Sequence, residues 1–141
     1  MISVERWLKL IAVIHIIGGV ILPFMVFTPL ATSYFEHLLN AFPDSDIESL
    51  RFLVGVFGPT VASWGLLFYC AVGKAFQSKT PRDWWLLFAA VMVWLVFDTT
   101  FSLFFNITTH LYINGLVAII ILLPLLKLKA HFQGKGSNDA S

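Results

Sequence analysis

One acidic residue, Asp98, lies inside a long apolar stretch of this chain. An ionised carboxylate near the centre of a bilayer costs several kcal/mol, so it must face protein, water or a bound partner. In a structural interpretation, Asp98 pairs with a polar group on another helix, or keeps a proton and donates a hydrogen bond. In a functional interpretation, it carries a proton, balances a cationic ligand, or protonates a bound apolar substrate.

Three further polar residues are predicted near Asp98 from a helix rise of about 1.5 Å per residue. Thr60 falls at the same level, and Asn114 falls nearer the outer surface. Arg51 stands at the outer end of its helix, with a side chain long enough to reach inward. Together these residues predict a polar cleft that opens outward.

One histidine and two tryptophans complete the candidate ligand-binding set. Trp64 and Trp94 fall near mid-membrane, where they either pack in the ordinary way or form pocket walls. His15 falls in the first apolar stretch, and the same counting, from Trp7 and Trp84 at the inner boundary, puts Asp98 roughly 9 Å further out. This separation is too large for a direct pair unless the helices slide or tilt strongly. It leaves a relay through water, or a neutral His15 bonded to a neighbouring helix.

These residues must be positioned by membrane-spanning helices. The chain has 141 residues, of which 58% are hydrophobic and 12% charged, and this composition excludes an ordinary soluble domain. Four apolar stretches approach the roughly 20 residues that a spanning helix needs, at about 7–27, 52–73, 84–105 and 110–126. We expect an all-α integral membrane four-helix bundle in a single domain, 1–132, followed by a disordered tail, 133–141.

The distribution of basic residues predicts the orientation of the bundle. Of the nine lysines and arginines, only Arg51 falls outside one face of the four-span arrangement. The positive-inside bias therefore predicts that both termini are cytoplasmic, in a multi-pass protein of a bacterial inner membrane. Basic residues on that face are explained by topology and by anionic lipid, so nucleic acid is not expected as a partner.

The connection between the first two spans has a pattern of its own. Tyr34, Phe35 and Leu38 recur at helical spacing among polar residues, which is typical of an amphipathic helix lying in the membrane interface. The segment Ser45-Asp-Ile-Glu48 has the form of a capping box, and it predicts the start of the second span.

Glycines in the second span allow two interpretations. Pro59 has no amide hydrogen, so the carbonyl of Gly55 loses its helical partner and could bind a ligand beside Asp98. Alternatively, small residues form a smooth stripe for close contact with another helix, at Gly55, Gly58, Ala62 and Gly65.

The order of these segments resembles small four-helix membrane proteins of the DoxX-like kind. The resemblance rests on a first span, an outer amphipathic segment, and Arg51 leading into Phe57-Gly-Pro-Thr-Val-Ala-Ser-Trp-Gly65. It implies an accessory role beside respiratory or redox proteins. The layout is also similar to the fold of sterol isomerases and sigma receptors, which implies an apolar amine or sterol held against intramembrane acids.

Three functions follow from these observations. The first is a binding or accessory protein whose cleft holds a small lipid-like or cationic amphiphile, or a partner membrane subunit. The second is a proton-coupled exporter that acts as a homodimer, in which Asp98 exchanges a proton for a cationic substrate. The third is a membrane enzyme acting on a lipid or sterol, with Asp98 as acid and His15 as relay. The sequence names neither a cofactor nor a metal site.

Overall fold

The computed structural model describes residues 3–133, and the regular structure in this part is entirely helical, without a strand. The prediction of an all-α fold is therefore confirmed. A short 3-10 turn, Pro29–Ala31, precedes the second of six helices: α1 Val4–Met25, α2 Thr32–Ala41, α3 Ile47–Ser78, α4 Pro81–Phe104, α5 Thr108–Lys127 and α6 Lys129–Gln133. Within the predicted tail, Gln133 ends α6, and residues 134–141 lie outside the described part.

Four of these helices, α1, α3, α4 and α5, are long and apolar enough to cross a membrane. The prediction of four long apolar helices is therefore confirmed. Helix α3 has 32 residues, whereas the apolar stretch predicted 52–73. The difference arises because helical hydrogen bonds continue through polar residues at both ends, which a count of apolar residues excludes.

The start of α3 differs by one residue from the predicted capping box. Asp46, and not Ser45, is the N-cap, and its carboxylate accepts from the backbone amide of Ser49 at 2.9 Å. This amide lowers the pKa of Asp46. An aspartate at this position satisfies one of the free amides of the first turn, as a serine would.

Helices α1 and α3 touch backbone to backbone. A Cβ atom added to Gly58 would lie 2.5 Å from the carbonyl oxygen of Gly19, and one added to Gly65 would lie 2.8 Å from the carbonyl of Ala12. Only glycine fits at such distances. Pro23 partly explains this contact. It lies four residues after Gly19 and has no amide hydrogen, so the carbonyl of Gly19 makes no helical hydrogen bond and is free to face α3. The interpretation of these glycines as a helix-contact stripe is the one that the structure shows.

Away from α2, the four long helices enclose a tightly packed cluster that we call the α6-end core. Its members are buried apolar side chains from α1, α3, α4, α5 and α6: Leu8, Ile11, Ala12, Phe68, Val72, Ala75, Trp84, Leu87, Val91, Ile121, Leu125 and Phe132. Because these side chains are buried and closely packed, they fix the helices relative to each other at this end.

Two tryptophans tie α5 into the bundle through backbone carbonyls. The Trp84 indole donates to the carbonyl of Leu125 at 2.8 Å, and the Trp7 indole donates to that of Ile120 at 3.0 Å. Pro124 lies four residues after Ile120 and has no amide hydrogen, so it leaves this carbonyl without its usual helical partner. Trp7 supplies the missing donor from another helix.

A second, smaller cluster packs beneath α2, and we call it the α2-end core. It joins the end of α1, α2, the start of α3 and the α4–α5 connection, through Val26, Phe35, Leu38, Leu50 and Ile107. The amphipathic pattern predicted for the first connection therefore forms a helix, whose apolar face is buried against the bundle.

Candidate functional site

Between the two cores lies a cavity of about 390 Å³. All four long helices contribute to its wall: His15 from α1, Phe57, Thr60, Val61 and Trp64 from α3, Trp94 and Asp98 from α4, and His110, Ile113, Asn114 and Val117 from α5. Six of the seven residues predicted from the sequence are among these. The structure thus brings Asp98, Thr60, Asn114, Trp94, Trp64 and His15 to one space.

Helical periodicity explains why these side chains meet. Residues three, four and seven apart share one face of a helix. The lining residues follow this spacing on each helix, as Phe57, Thr60, Val61 and Trp64, as Trp94 and Asp98, and as His110, Ile113, Asn114 and Val117. Each helix therefore turns a single stripe toward the cavity.

Asp98 has a neutral partner on the facing helix. The buried side chain of Asn114 donates from Nδ2 to Oδ2 of Asp98 at 2.5 Å, and to the hydroxyl of Thr99 at 3.3 Å. A carboxylate only accepts, so the group of Asn114 that faces it is the NH₂. Among the described residues, the second oxygen of Asp98 has no hydrogen-bond partner. One carboxylate oxygen is therefore free for a ligand.

His110 links the cavity wall to α2. Its Nε2 lies 2.9 Å from the hydroxyl of Tyr34, and its Nδ1 lies 3.3 Å from that of Ser102. Burial, and then the charge of Asp98, raise the pKa of Tyr34 above its ordinary value of 10.0. The phenol therefore keeps its proton at neutral pH. Both ring nitrogens of His110 thus have hydroxyl partners, each of which can donate or accept.

His15 has a defined tautomer. Its Nδ1 lies 2.8 Å from the backbone carbonyl of Ile11, and its ring packs against Trp64 with centroids 4.9 Å apart. Because a carbonyl only accepts, Nδ1 carries the proton, and Nε2 of the neutral ring is an acceptor. His15 is thus bonded within its own helix, and its second nitrogen has no described partner.

The structure shows that Trp7 and Trp84 do not lie at one level of the bundle. They bond to Ile120 and Leu125 of α5, which are five residues, or about 7.5 Å, apart along the helix. The predicted separation of His15 and Asp98, roughly 9 Å, assumed one common level for the two tryptophans. His15 and Asp98 are therefore closer in level than predicted, and both line the same cavity.

Arg51 is the predicted residue that does not line the cavity. Its guanidinium pairs with the carboxylate of Glu48 at 2.6 Å, one helical turn earlier at the start of α3. Two charged groups of opposite sign on adjacent turns satisfy each other locally. The charged partner of Arg51 is therefore at the start of α3, and not in the cavity wall.

The exposed part of the cavity wall lies on the sides of the helices. Phe57 and Ile113 line the cavity and are about half exposed, at 52% and 50%. Thr60, in the same wall, is also exposed. The α2-end core packs on one end of the cavity and the α6-end core on the other. The open boundary is therefore lateral, along the length of the bundle.

Two residues of the site, His110 and Tyr34, were not predicted from the sequence. His110 was counted as a helix boundary, although it precedes Asn114 by four residues and so shares its face. Tyr34 was counted as an apolar residue of α2, and its hydroxyl bonds His110. The spacing of His110 and Asn114 is a signal from which His110 could have been predicted. Nothing in the pattern of α2 indicates that Tyr34 reaches the site.

Comparison of the chain with protein-family models, with curated proteins and with solved structures finds no match in any of the three. The resemblances drawn from the helix order therefore stay predictions. What the chain binds must be argued from the cavity itself.

Proposed function

We propose that this chain is a multi-pass membrane protein that binds a small amphiphile inside its bundle. The polar head of the ligand meets Asp98, and its apolar body packs against the tryptophans. The observation that supports this proposal is an apolar cavity of about 390 Å³ whose single carboxylate keeps one oxygen without a hydrogen-bond partner in the described chain. Such a volume lies within the range of about 300 to 1,000 Å³ typical of small-molecule sites.

The size of the cavity favours a small molecule over a helix of a partner subunit. One turn of an α-helix with side chains, roughly 10 Å wide and 5.4 Å long, fills about 420 Å³. The cavity holds about 390 Å³ in total. A partner helix would therefore need the four helices to separate, which would break the contacts of both cores.

The ligand enters from the side of the bundle in this proposal. In the membrane, α2 lies in the outer interface with its polar face in water, and both termini are cytoplasmic. Both cores stand between the cavity and the ends of the bundle. An amphiphile dissolved in the bilayer reaches the exposed flank at Phe57 and Ile113 without crossing either core.

A matched pair of valine substitutions tests whether the cavity holds a ligand. Val117→Phe places a ring in the cavity, whereas Val93→Phe makes the same change on a side chain of α4 that is 60% exposed. We expect native mass spectrometry of the gently extracted protein to show a bound small molecule in the wild type and in Val93→Phe. In Val117→Phe this added mass is expected to disappear.

The proposal fails if the wild-type protein carries no added mass when extracted from any of its source lipids. It also fails if Val117→Phe retains the same molecule. Thermal melting of both variants shows whether the bundle is intact. The expected result is a Val117→Phe variant that is folded and carries no ligand.

A further inference from the structure

We propose that the head of the ligand is a protonated amine with at least two N–H groups, one bound by Asp98 and another by Nε2 of His15. This inference depends on the proposed function, because it assigns the chemical class of the molecule in the same cavity. It is carried by the charge of the wall, by the hydrogen bonds already made there, and by the relative level of the two residues.

The charge of the wall calls for a cation. Asp98 is the acidic residue of the cavity wall, and neither lysine nor arginine occurs among the described lining residues. The nearest predicted cation, Arg51, pairs with Glu48 instead. Asn114 gives Asp98 a hydrogen bond and no charge. In a low-dielectric interior a carboxylate without a counter-charge is costly, and a ligand cation removes this cost.

Hydrogen bonds within the wall leave acceptors around Asp98. Both N–H groups of Asn114 are engaged, by Asp98 and by Thr99, and both nitrogens of His110 have hydroxyl partners. The acceptors left there include the second oxygen of Asp98, Oδ1 of Asn114 and Nε2 of His15, and the hydroxyl of Thr60 can accept or donate. A ligand head that fits them must donate. The indoles of Trp64 and Trp94 remain as neutral donors, and their faces suit a cation as well.

Both acceptors lie in the wall of one cavity, His15 on α1 and Asp98 on α4. The offset between Trp7 and Trp84 along α5 brings the two residues closer in level than counting along the helices predicts. A primary ammonium has three N–H groups and can bridge two acceptors. A tertiary ammonium has one, and a quaternary ammonium has none.

Four compounds with the same decyl chain and different polar heads test which head the cavity prefers. The protein in nanodiscs of zwitterionic lipid is titrated with radiolabelled decylamine, with empty discs as the control for partitioning. N,N-dimethyldecylamine, decyltrimethylammonium and decanol then serve as competitors with the same chain. We expect saturable binding of decylamine, and competition at least about tenfold weaker from each of the other three, because each lacks a donor or the charge.

Substitutions of His15 and Asp98 test the two proposed contacts with the ligand head separately. In His15→Phe the affinity for decylamine is expected to fall about tenfold, to that of N,N-dimethyldecylamine. The affinity for decyltrimethylammonium is expected to stay unchanged. His15→Gln keeps an acceptor and is expected to retain part of the preference. Asp98→Asn is expected to remove the advantage of every amine over decanol. Unchanged affinity for decyltrimethylammonium in His15→Phe shows that the cavity is intact.

Two further results would overturn the inference. Equal competition by all four heads, with binding still abolished in Val117→Phe, contradicts the assigned head and leaves the proposed function standing. If no member of the series saturates, or if Val117→Phe binds decylamine like the wild type, the proposed function is overturned as well.

Discussion

The α6-end core and the cavity are built by the same four helices, yet one region is filled and the other is not. In the core, Trp84 is 2% exposed, and its indole bonds the neighbouring helix. In the cavity, Trp94 lies at the wall of an open volume of about 390 Å³. The amount of aromatic surface is thus not what separates the two regions.

The difference lies in which helices are bonded to each other. At the level of the cavity, α1 and α3 touch through Gly19 and Gly58, while α4 and α5 are joined by Asp98 with Asn114 and by Ser102 with His110. Each of these contacts holds a pair together internally. Nearer α6, the Trp7 indole joins α1 to α5, across the pairs. A binding space therefore arises where two tight pairs lack a link between them.

The largest effect should come from removing a tryptophan from the filled region. Trp84→Ala is expected to cost about 3 to 5 kcal/mol of stability, because it leaves a large void and removes the donor to the Leu125 carbonyl. Trp94→Ala, the same change at the cavity, should cost only about 1 kcal/mol, since space is already present there. Thermal unfolding in detergent measures both. Equal losses would contradict the contrast between the two regions.

A smaller effect is expected from separating α1 and α3. Gly19→Val should destabilise by about 3 kcal/mol, because its Cβ would lie 2.5 Å from the carbonyl oxygen of Gly58. The neighbouring Gly18 is a matched control, since nothing lies within 4 Å of an added Cβ there. We expect Gly18→Val to melt within a few degrees of the wild type. If both variants melt alike, the close contact does not hold the pair together.

The smallest effect is expected where α2 meets the cavity wall. Tyr34→Phe should cost about 1 kcal/mol at neutral pH, because it removes the hydrogen bond to His110. In the folded protein the pKa of Tyr34 is raised above its ordinary value of 10.0. The stability that the protonated phenol contributes is therefore fully present below this ordinary pKa, and it is lost as the pH rises through the folded pKa.

Thermal melting between about pH 8 and pH 11 measures this loss. The wild type should lose more stability with rising pH than Tyr34→Phe does. Tyr112→Phe, at a tyrosine that is 80% exposed, serves as the control and should follow the wild type. Parallel curves for the wild type and Tyr34→Phe would show that Tyr34 does not couple α2 to the site.

The sequence allowed the helices and much of the cavity wall to be predicted, because both depend on local properties. Continuous apolar length predicts the four long helices, and an acid inside one of them identifies Asp98. Counting the rise per residue along each helix then predicts Thr60 and Asn114 near Asp98, and all three line the cavity. The small-residue stripe was also readable, since Gly58 and Gly65 recur at helical spacing.

What could not be predicted depends on the register between helices. Counting from Trp7 and Trp84 assumed a common starting level, and the bonds of both indoles to α5 show the offset. The pairing of Arg51 with Glu48 was missed because a long side chain can reach in several directions. The partition into two cores and a cavity likewise depends on contacts between helices, which no single stretch of sequence contains.

The bond from Trp7 to the Ile120 carbonyl has a consequence for biosynthesis. The ribosome makes Trp7 near the beginning of the described chain and Pro124 near its end, so this carbonyl stays unpaired until the first helix and the last long helix have met. An unpaired carbonyl in hydrocarbon costs several kcal/mol. In a membrane, α5 would therefore expose one unpaired carbonyl until it packs against α1, which is made before it.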